Sequence, residues 1–176
     1  YSLIVEPGTP MHDAVKRGIL TPVDDDSTAD MYERAVEVLG AAGWEHYEIA
    51  NWAREPHYRS RHNQIYWQNG PYHGLGAGAH GTVAGAHGTV AATRSSNHLL
   101  PARYIAAMQT GALPRAVSET ISPETALGET MMLGLRLLVD GVSAPDVHAR
   151  HGVSLQEQYA TQIAHFQSID LLEWHG

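Results

Sequence analysis

Residues 44–98 carry almost no hydrophobic periodicity, although the segments on either side are strongly patterned. A stretch of that length with no helical or strand period cannot build its own core, so the flanks must supply one. The same stretch is rich in aromatics, Gly, Asn, Arg and His. His46, His57, His62, His73, His80, His87 and His98 all fall within it. So many polar rings with so little core pattern read as a site carried on a scaffold built elsewhere.

The flanks use α/β vocabulary. Tyr1-Ser-Leu-Ile-Val5 is a short β-prone run broken by Glu6-Pro-Gly-Thr-Pro10. Asp24-Asp-Asp-Ser-Thr28 supplies N-cap residues and negative charge for a helix start. Met31, Ala35, Val38, Leu39 and Ala42 then recur on one helical face, and Gly43 is a natural stop. Tyr47-Glu-Ile49 predicts a short strand and Asn69-Gly70 a turn. Beyond residue 98, Tyr104, Ile105 and Met108 mark a short helix closed by Gly111. Ser122-Pro-Glu124 pairs an N-cap with Pro at the first helical position. Ser143 to His151, stopped by Gly152, reads as another helix. Ser154-Leu-Gln-Glu157 is a capping box opening the stripe Leu155, Tyr159, Ile163 and Phe166, with a strand expected at Leu171–Trp174.

Composition narrows the chemistry. Among 176 residues there are 11 Lys+Arg, 19 Asp+Glu, 12 His and no Cys, giving a formal charge of −8 with His neutral. Protonating all the histidines would reverse that sign, so the charge is sensitive to pH. At 43% hydrophobic, the chain can bury a core. Without Cys there is no disulfide, thiol nucleophile or Cys-ligated zinc, and no iron–sulfur cluster held by these residues. That absence fits a cytoplasmic chain. No apolar run is long enough to span a bilayer. Ser143 to Phe166 has a winged-helix outline, but from Asp140 to Trp174 the one cation, Arg150, faces Asp140, Asp146, Glu157, Asp170 and Glu173. Such a surface repels phosphate, and nucleic acid is not expected as a partner.

The densest cluster is Arg54, His57, Arg59, Arg61, His62, Asn63, Tyr66 and Trp67. Guanidinium groups bind carboxylates, large rings stack on planar ligands, and imidazole ligates metal. The set suits a flat, multiply carboxylated ligand that can carry a metal, as a porphyrin does. It also suits a loop whose aromatics pack on the core and whose arginines are solvated. Residues 77–83 and 84–90 are identical copies of Ala-Gly-Ala-His-Gly-Thr-Val, read as a duplication within a loop. Gly76, Gly78 and Gly81 allow close backbone approach to a ligand, or simply a flexible turn. The strand–Gly-loop–helix setting of a dinucleotide site is missing. His80 and His87 lack the spacing and partners of a zinc site. Glu6, just past the first expected strand, either faces a ligand or caps a turn.

Four blocks carry a family resemblance. Tyr47-Glu-Ile-Ala-Asn-Trp52, Arg61-His-Asn-Gln-Ile-Tyr-Trp67, Gly74-Leu-Gly-Ala-Gly-Ala-His-Gly81 and Gly128-Glu-Thr-Met-Met-Leu-Gly-Leu-Arg-Leu137 resemble, in order, blocks of the HemW family. These are radical-SAM proteins related to oxygen-independent coproporphyrinogen III oxidase. The resemblance implies that residues 1–98 are the end of a partial TIM-type barrel, its last β/α unit, with a loop-rich heme-motif region. It makes 99–119 a connecting helix and linker and 120–176 a mostly helical, truncated C-terminal domain. It implies heme held by His62 at the iron, with Asn63, Tyr66 and Trp67 completing the His-Asn-x-x-Tyr-Trp motif and Arg59 or Arg61 on a propionate. Glu6, Gly76, Gly78 and His80 would lie toward a cofactor. His87, in the second heptad copy, inherits no role.

The family's [4Fe–4S] cluster and S-adenosyl-L-methionine would belong to the intact protein. The family's Cys-x-x-x-Cys-x-x-Cys motif is expected upstream, so this chain alone is not expected to be catalytic. Implied partners are heme or a porphyrin and heme-acceptor apoproteins, a membrane-associated acceptor among them, and a homodimer is compatible. Two other functions stay open. One is part of the coproporphyrinogen oxidase itself, which converts propionates to vinyls by radical decarboxylation. The other is a non-catalytic helical protein-interaction module.

Overall fold

A computed structural model describes residues 2–83 and 92–175. The chain divides at Arg59/Ser60 into two units. The second copy of the heptad, with His87, lies outside the described residues.

In the first unit, residues 2–6 form no strand, and Leu3 and Ile4 are 75% and 72% exposed. A parallel barrel strand is held by hydrogen bonds from neighbouring strands. No strand pairs with this run among the described residues, so the expected barrel strand is not formed. A short helix missed in the sequence follows, α1 (Pro10–Lys16). Thr9 Oγ1 accepts from the His12 N–H at 3.2 Å, with Pro10 just inside the helix, which is a legible start signal. Helix α2 (Asp25–Ala41) begins where expected. Asp24 Oδ1 accepts from the Ser27 N–H at 2.8 Å, and this backbone hydrogen bond holds the exposed Asp24 carboxyl below its usual range. Gly43, at φ +80°, ends the helix in the left-handed region. Strands β1 (Glu45–Glu48) and β2 (Asn51–Ala53) form an antiparallel hairpin. Its aromatic side closes on α2: Tyr32 donates to the Ile49 carbonyl at 2.9 Å, and His46 stacks on Trp52 at 4.2 Å.

The second unit opens with helix α3 (Arg61–Trp67), capped by Ser60, whose Oγ accepts from the Asn63 N–H at 3.3 Å. Strands β3 (His80–Val83), β4 (Thr93–Asn97) and β5 (Arg115–Thr120) form an antiparallel sheet in that order. Both sheets are therefore antiparallel, where a barrel unit would contribute parallel strands. Between β4 and β5 lies α4 (Pro101–Gln109), closed by Gly111 at φ +75°. The C-terminal helices are α5 (Pro123–Gly134), α6 (Ala144–His151), α7 (Leu155–Gln158) and α8 (Ala160–Ser168).

The expected caps form. The hydroxyls of Ser122, Ser143 and Ser154 accept from the N–H groups of Thr125, Asp146 and Glu157, and Gly152 stops α6 at φ +71°. The stripe read as one helix from Leu155 to Phe166 breaks at Tyr159, where φ is −122°. Leu171–Trp174 forms no strand; Trp174 instead packs on the core. That core is Leu127, Val147 and Leu155, with Met131, Val142, Val153 and Tyr159 around it. Each such buried side chain contributes roughly 1.5–3 kcal/mol. Arg94 ties sheet to helix, donating to both Glu129 carboxylate oxygens at 2.6 and 2.7 Å and reaching Glu119 at 3.3 Å.

Candidate functional site

The motif residues sit on α3 rather than in a loop. Helical spacing puts His62 and Tyr66 on one face. Their rings meet edge to face at 4.7 Å and 83°, and Tyr66 meets Tyr72 the same way at 4.6 Å and 88°. The result is a ladder of three perpendicular rings running out to His62. The His62 residue is exposed, and among the described residues no hydrogen bond or ion pair engages its imidazole. Arg61, also exposed, has no ion pair among them either. Asn63 contributes its backbone N–H to the Ser60 cap.

Trp67 lies elsewhere. It is half-buried, with the Arg136 guanidinium 4.4 Å from its ring centroid. Arg136 follows directly on α5, so one face of the Trp67 ring is already taken.

The far end of α3 is fastened to α5 and α6. Arg150 donates to the carbonyls of Gln68 at 2.8 Å and Asn69 at 2.9 Å, a cation on the terminal carbonyls of a helix. Asn69, at φ +49°, makes the expected turn. Its Nδ2 donates to Thr130 Oγ1 at 3.1 Å. The Thr130 hydroxyl donates to Ala126 O at 2.9 Å and lies 3.1 Å from His151 Nε2. The single hydroxyl proton is spent on Ala126, so His151 Nε2–H is the donor and Nδ1 carries the lone pair. Burial, with the Arg150 charge second, pushes His151 below its ordinary pKa. Sequence reasoning missed this anchor. Arg150, the lone cation in an acidic stretch, was the signal available.

The remaining candidates are held by protein contacts. Arg59, whose side chain is 9% exposed, donates from Nε at 3.2 Å and Nη2 at 2.8 Å to Glu45 Oε2. That commitment leaves Arg61 as the open arginine of the pair. Gly76 donates its N–H to Tyr104 Oη at 3.2 Å, and Gly78 donates to His98 O at 2.9 Å. Asn97 Nδ2 donates to the carbonyls of Gly74 at 3.1 Å and Gly76 at 2.9 Å. The glycine segment is thus stapled to β4 and α4, with both candidate N–H groups satisfied internally. His80 is exposed in β3 opposite Ser96, not in a flexible turn. The exposed Glu6 follows no strand, and its carbonyl accepts from Thr9 Oγ1 at 2.7 Å.

A heme iron needs one or two axial protein ligands rather than a cluster. The exposed imidazole of His62, an aromatic edge behind it and an unpaired guanidinium at Arg61 fit that demand. Among the described residues no group of three or more His, Asp or Glu could hold a bare metal ion, and no helix is long and apolar enough to cross a membrane.

Comparison with known proteins agrees with the family resemblance. Residues 121–176 match the HemN C-terminal domain. The chain is 39% identical over 137 residues to the heme chaperone HemW of Synechocystis, covering 78% of this chain and 32% of that protein. It is 35% identical over 176 residues to heme chaperone HemW of Mycobacterium tuberculosis, covering 100% of this chain and 41% of the relative. The chain belongs to the HemW family. It is also 43% identical over 79 residues, 45% of this chain and 18% of the relative, to the mouse mitochondrial radical S-adenosyl methionine domain-containing protein 1. This HemW relative spans 32–42% of the length of the bacterial HemW proteins it matches. No solved structure gives a significant match.

Proposed function

We propose that this chain is the heme-holding part of a HemW-type radical-SAM heme chaperone, which passes heme to an acceptor apoprotein. The observation that supports it is His62, an exposed and uncommitted imidazole at the end of the Tyr72–Tyr66 ring ladder. Heme iron, when bound, supplies an open coordination position for an imidazole nitrogen. The His62 imidazole would offer that nitrogen. Tyr66 limits the rotation of the His62 ring by its edge-on contact, and Asn63 fixes the first turn of α3 through Ser60. Arg61 is the arginine available to a propionate.

No residue of this cysteine-free chain fits a thiolate-held cluster, so no step of S-adenosylmethionine cleavage is assigned to it. In the whole protein, we take residues 2–5 to be the last barrel strand once neighbouring strands are present to pair with it. The C-terminal helices of residues 121–176 serve to position α3. Heme titration of the full chain tests the reading. A saturable Soret shift that His62→Ala removes is expected. An unchanged shift in His62→Ala overturns the ligand assignment. Conversion of coproporphyrinogen propionates to vinyls, with S-adenosylmethionine and reductant, would instead assign the oxidase.

A further inference from the structure

Trp67 and Arg136 share an unexplained feature. Trp67 Nε1 and Arg136 Nε are both sealed from solvent, and neither has a hydrogen-bond acceptor among the described residues. They lie against one another, with the guanidinium carbon 4.4 Å from the indole centroid. Among the described residues no carboxylate pairs with Arg136. Arg94 and Arg59 both have carboxylate partners, so Arg136 stands apart from the other half-buried arginines among the described residues. A sealed donor without an acceptor is costly, and a guanidinium without an anion more so. Stacking on Trp67 fixes the plane of the guanidinium in advance, which lowers the entropy lost when an anion docks. Arg136 is half-buried, so part of the residue stays at the surface while Nε is closed off.

We propose that Arg136 and Trp67 form a carboxylate-binding cradle, and that the group it takes is a propionate of the porphyrin. Two donors on stacked groups, with no acceptor among the described residues, call for an oxygen anion, and a planar fork matches a carboxylate better than a point charge does. Trp67 is the residue after Tyr66, one helical step of about 1.5 Å and 100° from the ring ladder. Counted from His62, five residues back on the same helix, the cradle lies about 140° round α3. Heme has two propionates, and Arg61 and Arg136 give one arginine to each. The identity of this ligand rests on the heme reading above; the cradle's preference for a carboxylate does not. A purely structural Arg136 would serve as a cation at the C-terminal end of α5, a role that lysine fills equally well.

The test uses the full chain and three probes: iron(III) mesoporphyrin, metal-free mesoporphyrin, and metal-free mesoporphyrin dimethyl ester. Absorbance and porphyrin fluorescence report binding. For the metal-free diacid, Arg136→Gln is expected to weaken binding about 10- to 100-fold, the strength of a charge-assisted hydrogen bond. Arg136→Lys should lose most of the same affinity while keeping the wild-type urea midpoint. Trp67→Phe, which keeps an aromatic ring and removes the N–H, should lose about two- to fivefold. The dimethyl ester should bind all four proteins alike, and more weakly than the diacid binds Arg136→Gln, which keeps the Arg61 contact to the other propionate. Equal binding of diacid and ester by the wild type overturns the cradle, as does full affinity in Arg136→Gln or Arg136→Lys. The iron porphyrin separates the two ideas. A His62-dependent Soret shift with no Arg136 effect sinks the cradle and leaves the heme reading standing. No Soret shift, with diacid binding still dependent on Arg136, sinks the axial assignment and leaves the cradle.

Discussion

At the start of α3, Arg61 and His62 stand exposed, and the His62 ring touches only a tyrosine edge among the described residues. At its end, the carbonyls of Gln68 and Asn69 are taken by Arg150, and the Asn69 side chain by Thr130. One short helix thus carries its uncommitted side chains at one end and its attachments at the other. A seven-residue helix is too short to hold itself in water. The attachments make it rigid, and a rigid helix lets an exposed imidazole keep one direction. The histidines show the same contrast. His151 is enclosed, neutral and hydrogen-bonded within the anchor, whereas the His62 ring is left to solvent.

Removing parts of the anchor should cost stability, in a graded order. Thr130→Val leaves Asn69 Nδ2 and His151 Nε2 without their shared acceptor, and the site is buried. A loss of about 2–3 kcal/mol is expected in urea denaturation. Arg150→Ala removes two hydrogen bonds that are partly solvated, and about 1–2 kcal/mol should go. If either variant keeps full stability, the anchored end is not what fixes α3.

The smallest effect is on pH dependence. His151 titrates below its ordinary value near 6.5 when folded, so the unfolded chain binds its proton more readily. Its stability contribution is complete above that value and is lost as pH falls through the folded pKa. His151→Gln should flatten the stability profile just below pH 6.5, read as denaturation midpoints at successive pH values. A profile as steep as wild type would contradict the buried-neutral assignment.

The sequence made the caps legible because capping is local. Asp24, Ser122, Ser143, Gly43, Gly111 and Gly152 all act within a few residues of themselves. Strands β4 and β5 were not legible. Thr93–Asn97 is polar throughout, and its pairing with Arg115–Thr120 is decided by residues far apart in the chain. Helix α3 escaped notice because Arg61, His62, Asn63 and Gln64 show no apolar stripe, although Ser60 was a cap in plain view. The run at residues 2–5 differs in the opposite direction: β propensity predicts a strand, but a strand needs partners, and none pairs with it among the described residues. Of the motif, His62 and Tyr66 come together by helical spacing alone. The placement of Trp67 against Arg136, 69 residues later, depends on tertiary packing that no spacing rule contains.

The central claim is that His62 is free for chemistry because the fold makes no use of it. Heme titration and urea denaturation of the full chain, carried out side by side on His62→Ala, test it directly. The account predicts that the Soret shift disappears while stability stays within about 0.5 kcal/mol of wild type, as for an exposed side chain without structural partners. A retained Soret shift, or a loss of heme accompanied by a stability drop as large as that of Thr130→Val, would contradict it.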